Sequence, residues 1–336
     1  MQENELENEK DQLSHLLITN NPLINASTEF KLHSEMLMSE AGRQILRRNL
    51  KKFLENETLA RDANDSEGVH NMRVATRRLR ATLKLLEESV FDPVITRRFR
   101  KHLRKLANAL GATRDSDVLL QHLNEYISQQ LPETHTQLEE FRQAIVKINQ
   151  KARVAMLDTL GTKAVQRLLL ELEALIETYG KGELKPRIAE HEVAPTLVRH
   201  FAGSFIWKSY EAVLAYETAM PAPLPVLHRL RVACKKFRYT LNFFEEALPE
   251  EAHTLVDKVS HIQDYLGQMQ DHWVGIARAE HLLLKHPDNE AILHYRDERL
   301  AALEEKRNGF ELIWKKLVGE AFRQNLAMVI AGVSKS

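Results

Sequence analysis

The feature that most constrains this chain is a basic segment that occurs twice. Residues 69–84 read VHNMRVATRRLRATLK, and residues 227–242 read LHRLRVACKKFRYTLN. His228 aligns with His70, and the similarity continues far downstream of both segments. A match of this length indicates internal duplication, and a period of about 156 residues is too long for a solenoid repeat. The sequence therefore predicts two sister domains, each carrying one copy of the basic segment.

Helical geometry divides the first basic segment into two faces. At about 100° per residue, the cation-capable side chains fall on one narrow stripe, which consists of His70, Arg73, Arg77, Arg80 and Lys84. The neighbouring arc is apolar and predicts the buried face, which consists of Val69, Met72, Leu79, Leu83 and Leu86. Cations beside a packed interior repel one another and resist desolvation. Either carboxylates of the same chain or an anionic ligand must therefore compensate them.

Proline and glycine residues divide the chain into segments, and these segments are predicted to be helices. Runs of alternating apolar and polar residues rich in β-branched types, which would indicate strands, are absent. Long helices are expected over about 28–60 and 288–317, and Gly111 is expected to cap one helix before another starts near Thr113. The predicted fold class is all-α, with two tandem antiparallel helical bundles joined by short loops.

Composition shifts locate the domain boundaries. The acidic segment 1–27 predicts a disordered N-terminal tail. Gly180, Gly182 and Pro186 mark the expected boundary between the halves. The predicted domains are therefore a first bundle over 28–180 and a second bundle over 187–331.

Charge and cysteine content narrow the class of protein. The formal net charge is +0, but the stretch from His70 to Lys105 holds eleven Lys and Arg residues against three acids. Local charge, rather than the total, sets the field that a ligand meets. The single cysteine, Cys234, excludes an intramolecular disulfide and fits a reducing compartment. Without a secretory signal or a long apolar stretch, we expect a cytoplasmic protein with no membrane partner.

Two motifs in order resemble those of the CHAD family, the conserved histidine α-helical domain. The first is H-x-x-R-V-x-x-R-R-x-R, which runs from His70 to Arg80. The second is L-x-x-x-L-G-x-x-R-D-x-D-V, which runs from Leu106 to Val118. The likeness extends over roughly residues 30 to 330. It implies two bundles related by pseudo-twofold symmetry around a basic central groove, and binding of inorganic polyphosphate without catalysis.

The chemistry of polyphosphate fits the stripe. Polyphosphate carries about one negative charge per unit and no bases, so a row of cations is enough to bind it, and arginine forks suit phosphate oxygens. From His70 to Lys84 the stripe extends about 21 Å. Two further candidates are Arg114, in the second motif, and Arg104, at a place where the family often has a basic residue. The predicted polyphosphate-binding residues are His70, Arg73, Arg77, Arg78, Arg80, Lys84, Arg104, Arg114, His228, Arg231, Lys235, Lys236 and Arg238.

The second repeat departs from this pattern at several positions. Gln270 stands at the place of Arg114, Ser260 at the place of Arg104, and lysines replace two of the arginines. We therefore expect the second repeat to be less positive than the first. Association with polyphosphate granules is a further expectation from the resemblance.

Two alternatives remain at this stage. A nucleic-acid-binding helical protein would also use basic faces, although no aromatic residue lies between the cations of the first stripe. A metal-chelating or phosphoanhydride-hydrolysing protein would need metal-binding acids facing the stripe. Neither a phosphate-binding glycine loop nor a nucleophile–base pair is evident, so no catalytic residue, metal or cofactor is predicted. Scattered histidines, including His122 and His272, are expected to be ordinary surface residues.

Overall fold

A computed structural model describes residues 30–62, 66–87, 89–184 and 192–333. The predicted disordered tail, 1–27, lies outside these ranges. Within them the chain is helical, with isolated bridges in place of strands, so the all-α prediction is confirmed. The α-helices, numbered in chain order, are α1 Met38–Glu55, α2 Glu57–Arg61, α3 Ser66–Leu86, α4 Pro93–Ser128, α5 Pro132–Leu160, α6 Lys163–Glu177, α7 Val198–Leu214, α8 Leu224–Phe244, α9 Ala252–Leu283, α10 Glu290–Val318 and α11 Glu320–Gly332.

Local sequence accounts for where these helices begin. Pro93 opens α4, where a missing N–H costs nothing, and the side chain of Asp92 accepts a hydrogen bond of 2.6 Å from Val94 N. Thr162 caps α6 in the same manner, and Asn289 caps α10 by accepting a hydrogen bond of 3.0 Å from Ile292 N. Pro132 is the first residue of α5.

Two predicted boundaries are wrong. The first long helix begins at Met38 instead of near residue 28, because residues 30–37 form irregular chain with a turn, and Met38 N donates to Thr196 O at 2.8 Å. Gly111 does not end a helix, since it lies in the middle of α4, which is 36 residues long and continues to Ser128. A glycine in a helix interior costs only about 1 kcal/mol, which tertiary packing readily offsets.

The described residues fall into two compact units. The first holds α1, α2 and α3, the first part of α4 to Val118, and the chain from Ile148 to Leu197. The second holds residues 119–147 and everything from Val198 onwards. The unit boundaries thus lie inside α4 and α5 as well as near Leu197. The division of the chain into a first bundle over 28–180 and a second bundle over 187–331 stays a prediction.

Each unit has its own apolar core. In the first unit the five residues of the predicted buried face of α3 are at most 1% exposed, which confirms that face. In the second unit Tyr126 and Phe141 place their rings 4.9 and 5.4 Å from that of Tyr295, edge to face. Leu119–Ile145 therefore supplies a substantial share of the core of the second unit. Cys234 is also buried, which raises the pKa of its thiol to about 12.

Candidate anion-binding site

The contact between α3 and α4 positions the first arginine of the stripe. A methyl group added at Gly111 would lie 3.7 Å from Nε of Arg73, so this arginine lies across the glycine. Nη2 of Arg73 donates to Oδ1 of Asp115 at 3.0 Å, one turn further along α4. Asp115 lies inside α4, where it orients Arg73.

The second repeat builds the same contact between α8 and α9. A methyl group added at Gly267 would lie 3.7 Å from both Nε and Nη2 of Arg231. Gly267 lies within α9, as Gly111 lies within α4. The aligned pairs, Arg73 with Gly111 and Arg231 with Gly267, thus have matching geometry. This agreement supports the duplication that the sequence indicated.

The N-terminal part of α3 gathers cations around His70. Burial and the nearby charges of Arg114, Arg77 and Arg73 lower the pKa of His70, against an opposing effect of Glu67. Burial is the largest cause, and the three arginines add a positive potential at the imidazole. Four predicted ligand residues therefore lie close together in the first unit. They are His70, Arg73 and Arg77 of α3 and Arg114 of α4.

A second group of cations lies further along α3. Burial and the charges of Arg104 and Arg100 lower the pKa of Arg80. Nε of Arg80 is buried and has no hydrogen-bond partner among the described residues. Arg80 and Arg104 were both predicted, whereas Arg100 was not, because nothing in its local sequence distinguishes it from its basic neighbours. His70 and Arg80 are about 15 Å apart along the helix.

Neutral partners replace two of these cations in the second repeat. Nδ1 of His228 lies 2.7 Å from Oε1 of Gln270, which occupies the place of Arg114. Nη1 of Arg238 donates to Oγ of Ser260 at 3.3 Å, and Ser260 occupies the place of Arg104. The face of the second repeat therefore keeps His228, Arg231 and Arg238 but lacks the cations that correspond to Arg114 and Arg104.

Several predicted residues lie apart from these groups. Arg78 acts on Lys52 of α1, whose pKa is lowered by burial and then by the charges of Arg78 and Arg48. Lys84 donates to the buried carboxylate of Glu87 at 3.3 Å. In the second repeat Lys235 is half-buried and Lys236 is exposed on α8. Arg78 therefore lies near α1, and Lys84 is paired with a carboxylate of the protein itself.

Glu87 is the residue whose role sequence reasoning missed. Its carboxylate is only 2% exposed and accepts hydrogen bonds from Arg97 at 2.9 Å, from Lys84 and from Arg100. Burial raises the pKa of Glu87, but the bonds from Arg97 and Lys84 and the charge of Arg100 outweigh it, so the pKa is lowered. The sequence signal that could have revealed this role is the position of Glu87, directly after the basic helix α3 and before the basic residues of α4.

Carboxylates compensate some of the grouped cations and leave others without one. Among the described residues, Arg73 pairs with Asp115 and Arg100 with Glu87, whereas Arg80, Arg104 and Arg114 have no carboxylate within 4 Å. The same part of the chain contains no group of three or more His, Cys, Asp or Glu side chains that could hold a metal ion. This surface can therefore attract anions and lacks an evident metal-ligand set. That the two stripes face one another across a groove stays a prediction.

Comparison with known proteins identifies the family. The model of the CHAD domain matches residues 44–280, and the chain belongs to the CHAD family. The crystal structure of the CHAD domain from the plant Ricinus communis is similar, with 25% identity and a TM-score of 0.68 over 85% of this chain and 94% of that one. PptA from Streptomyces chartreusis has 15% identity and a TM-score of 0.65 over 83% of this chain and 100% of that one. A search of the curated proteins found no match.

Polyphosphate binding is a known property of this family. The motifs quoted from the sequence lie within the matched residues, and they supply His70, Arg73, Arg77, Arg80 and Arg114 of the two groups of cations. No helix in the described ranges is both long and apolar enough to cross a membrane.

Proposed function

We propose that this protein binds inorganic polyphosphate through the basic faces of its two repeats and does not act on it as an enzyme. The observation that carries the proposal is that Arg80 lies beside Arg104, and His70 beside Arg114, while none of these three arginines has a carboxylate of the described residues within 4 Å. Crowded cations are costly by themselves and become favourable when an anion joins them. A flexible chain of phosphates supplies negative charge along the whole length of α3.

The non-catalytic part of the proposal has its own support. Phosphoanhydride cleavage in metal-dependent enzymes relies on acidic ligands for magnesium or manganese. Asp115 is engaged with Arg73, and Oδ1 of Asp117 accepts a hydrogen bond of 2.5 Å from Asn149. We expect no phosphate release from polyphosphate in the presence of either metal. Release above background would make the protein a hydrolase instead.

Titration with long-chain polyphosphate at several salt concentrations tests binding. The informative variant is Arg80→Ala/Arg104→Ala, which removes two crowded cations. Its matched control is Arg98→Ala/Arg167→Ala, which removes two exposed arginines that pair with Glu171 in the same unit. Each lost phosphate contact flattens the plot of log affinity against log salt by about 0.7. We expect the first variant to flatten the slope and the control to leave it unchanged.

Two outcomes contradict the proposal. One is the absence of binding in low salt, and the other is an equal effect of the two double variants, which would mean that net charge alone is responsible. Single-stranded RNA serves as the competitor. RNA that displaces polyphosphate at equal phosphate concentration would favour the nucleic-acid alternative. Cytoplasmic location and association with polyphosphate granules follow from the proposal and are checked by imaging the tagged protein in polyphosphate-rich cells.

A further inference from the structure

Three cations share one buried acid where the chain passes from α3 to α4. Glu87 follows directly on α3, and its side chain is only 2% exposed. Its Oε1 accepts hydrogen bonds from Nζ of Lys84 at 3.3 Å and from Nε of Arg97 at 2.9 Å, and its Oε2 accepts one from Nη1 of Arg100. A single carboxylate therefore joins one cation of α3 to two cations of α4.

The shared carboxylate keeps these cations within reach of one phosphate group. Because Nζ of Lys84 and Nε of Arg97 contact the same oxygen atom, they are at most about 6 Å apart. Nη1 of Arg100 contacts the second oxygen of that carboxylate. Charged donors at such separations can bind different oxygens of one phosphate, each at about 2.8 Å.

The cations lie on the solvent side of the acid. The side chains of Lys84 and Arg97 are 59% and 61% exposed, and that of Arg100 is 30% exposed. Among the described residues, no second carboxylate lies within 4 Å of Lys84 or Arg100. Since one carboxylate cannot offset both of these charges, an anion in solution meets a positive surface with Glu87 buried beneath it.

This cluster continues the α3 stripe at its end. Lys84 lies one helical turn after Arg80 on α3, and Arg100 lies one turn before Arg104 on α4, about 6 Å along each axis. Helix α3 ends at Leu86, two residues beyond the last cation of the stripe. A phosphate chain that follows α3 from its N-terminal end therefore reaches the cluster last.

The second repeat keeps the acid of this cluster and loses the permanent cations. Glu245 stands at the place of Glu87, and its Oε1 lies 3.2 Å from Nδ1 of His253. The positions aligned with the three cations hold, in chain order, Asn242, His253 and Val256. The two repeats thus share the scaffold at this end of the helix pair, but differ in the charge that surrounds its acid.

We propose that Lys84, Arg97 and Arg100 form a subsite for the terminal phosphate group of a polyphosphate chain. This subsite rests on the proposed function and adds which part of the ligand this end of the stripe recognises. A terminal group presents three unbridged oxygens and a charge of about −1.5 to −2 at pH 7, whereas an internal group presents two and a charge of about −1. Three donors that converge from two helices therefore suit the terminal group better.

Linear tripolyphosphate and cyclic trimetaphosphate test the subsite on the full chain. They contain the same number of phosphorus atoms, but only the linear ion has terminal groups. Calorimetry at one salt concentration gives the preference of each protein variant for the linear ion over the ring. Lys84→Met/Arg100→Met removes two of the three cations and keeps most of the side-chain volume. We expect this variant to lose about tenfold of the wild-type preference.

Arg98→Met/Arg167→Met is the matched control. These two arginines also share one carboxylate of the first unit, that of Glu171, at 3.1 and 2.9 Å, and in the described ranges neither pairs with Glu87. The control should therefore keep the wild-type preference.

Three results would overturn the subsite. They are an equal loss of preference in both double variants, an unchanged preference in Lys84→Met/Arg100→Met, and a wild-type protein that fails to bind tripolyphosphate. Failure of long-chain polyphosphate to bind in low salt would instead overturn the proposed function, so the two failures are distinguishable.

Phosphorus nuclear magnetic resonance of the ligand gives a second readout that does not depend on a variant's folding. The terminal and internal groups of a short polyphosphate chain give separate resonances. Wild-type protein should broaden the terminal resonance more than the internal ones, and equal broadening would contradict the subsite. Orthophosphate at equal concentration should not reverse this broadening, because it lacks the adjoining units that contact Arg80 and Arg104. Reversal would mean that the cluster binds the free ion, and would overturn the assignment to a chain end.

Discussion

Nδ1 of His228 lies 2.7 Å from Oε1 of Gln270, at the place where the first repeat sets His70 beside the cationic Arg114. Because an amide oxygen only accepts, Nδ1 of His228 carries the proton and donates it. The aligned histidines therefore have opposite surroundings, one next to a charge and one next to a neutral acceptor. The two repeats keep the same scaffold and differ in the charge that they offer to an anion.

The first prediction restores the missing cation. We expect Gln270→Arg to tighten polyphosphate binding about fivefold in low salt, which corresponds to ~1 kcal/mol. The physical reason is one additional phosphate contact, which should also steepen the plot of log affinity against log salt by about 0.7. The measurement is a polyphosphate titration at three or more salt concentrations.

Gln324→Arg is the matched control for that substitution. Gln324 is exposed on α11 in the same unit and donates to Glu320, so the variant adds the same charge away from α8 and α9. The two variants should differ clearly in affinity. If Gln324→Arg tightens binding as much as Gln270→Arg does, the second repeat contributes through overall charge and not through the His228 face.

The second prediction concerns the glycine beneath Arg73. A methyl group at Gly111 would make an ordinary contact of 3.7 Å with Nε of Arg73, so Gly111→Ala should stabilise the protein by about 0.5–1 kcal/mol through better helix propensity. Gly111→Leu should instead displace the guanidinium from Asp115 and weaken polyphosphate binding. Denaturant unfolding and polyphosphate titration check the two effects. Weakened binding in Gly111→Ala would show that the glycine itself, rather than the arginine above it, contacts the ligand.

Much of the fold could be predicted from local sequence. Helix starts at Pro93 and Pro132 follow from backbone chemistry, and the buried face of α3 follows from its 3.6-residue period. Gly111 was misleading because its role is tertiary. Like Gly267, it lets an arginine from another helix lie close to the backbone, and no local rule distinguishes such a glycine from a cap.

The candidate site was predictable to the extent that it lies on one helix. His70, Arg73, Arg77 and Arg80 share a stripe, and the structure places them among other cations. Lys84 falls on the same stripe, yet a buried acid from beyond the helix end neutralises it. Helical spacing shows which side chains share a face, but it cannot show which residues of other helices approach that face.

The third prediction concerns that acid, Glu87. Its pKa is lowered in the folded protein, so its carboxylate adds stability that is fully present above its ordinary pKa of 4.5 and is lost as the pH falls through the lowered value. Glu87→Gln should therefore destabilise the protein by about 2 kcal/mol at pH 7, because it weakens charged hydrogen bonds to Arg97 and Arg100. The difference from wild type should shrink below pH 4.5. Urea unfolding at several pH values measures it.

Exposed Glu139 provides the comparison for Glu87. Hydrogen bonds from Arg142 and Gln143 lower the pKa of Glu139 to about 2, but solvent screens this pair. Glu139→Gln should leave the stability unchanged. The Glu87→Gln variant should also bind polyphosphate more tightly, since Lys84 and Arg100 lose their counter-charge. Unchanged stability in Glu87→Gln at neutral pH would show that the cations around Glu87 are held by other contacts.

The fourth prediction concerns the dependence of the second unit on residues 119–147. Phe141 is 1% exposed, and its ring lies 5.4 Å from that of the equally buried Tyr295, so Phe141→Ala should cost about 3–5 kcal/mol. A fragment that starts at residue 187 lacks these residues, and would expose Ile292 and Tyr295 to water. We expect this fragment to show no cooperative unfolding by calorimetry, and to regain it when a peptide of residues 119–147 is added. A fragment that unfolds cooperatively without the peptide would show that the second repeat is a folding unit by itself, as the division at residues 180–187 predicts.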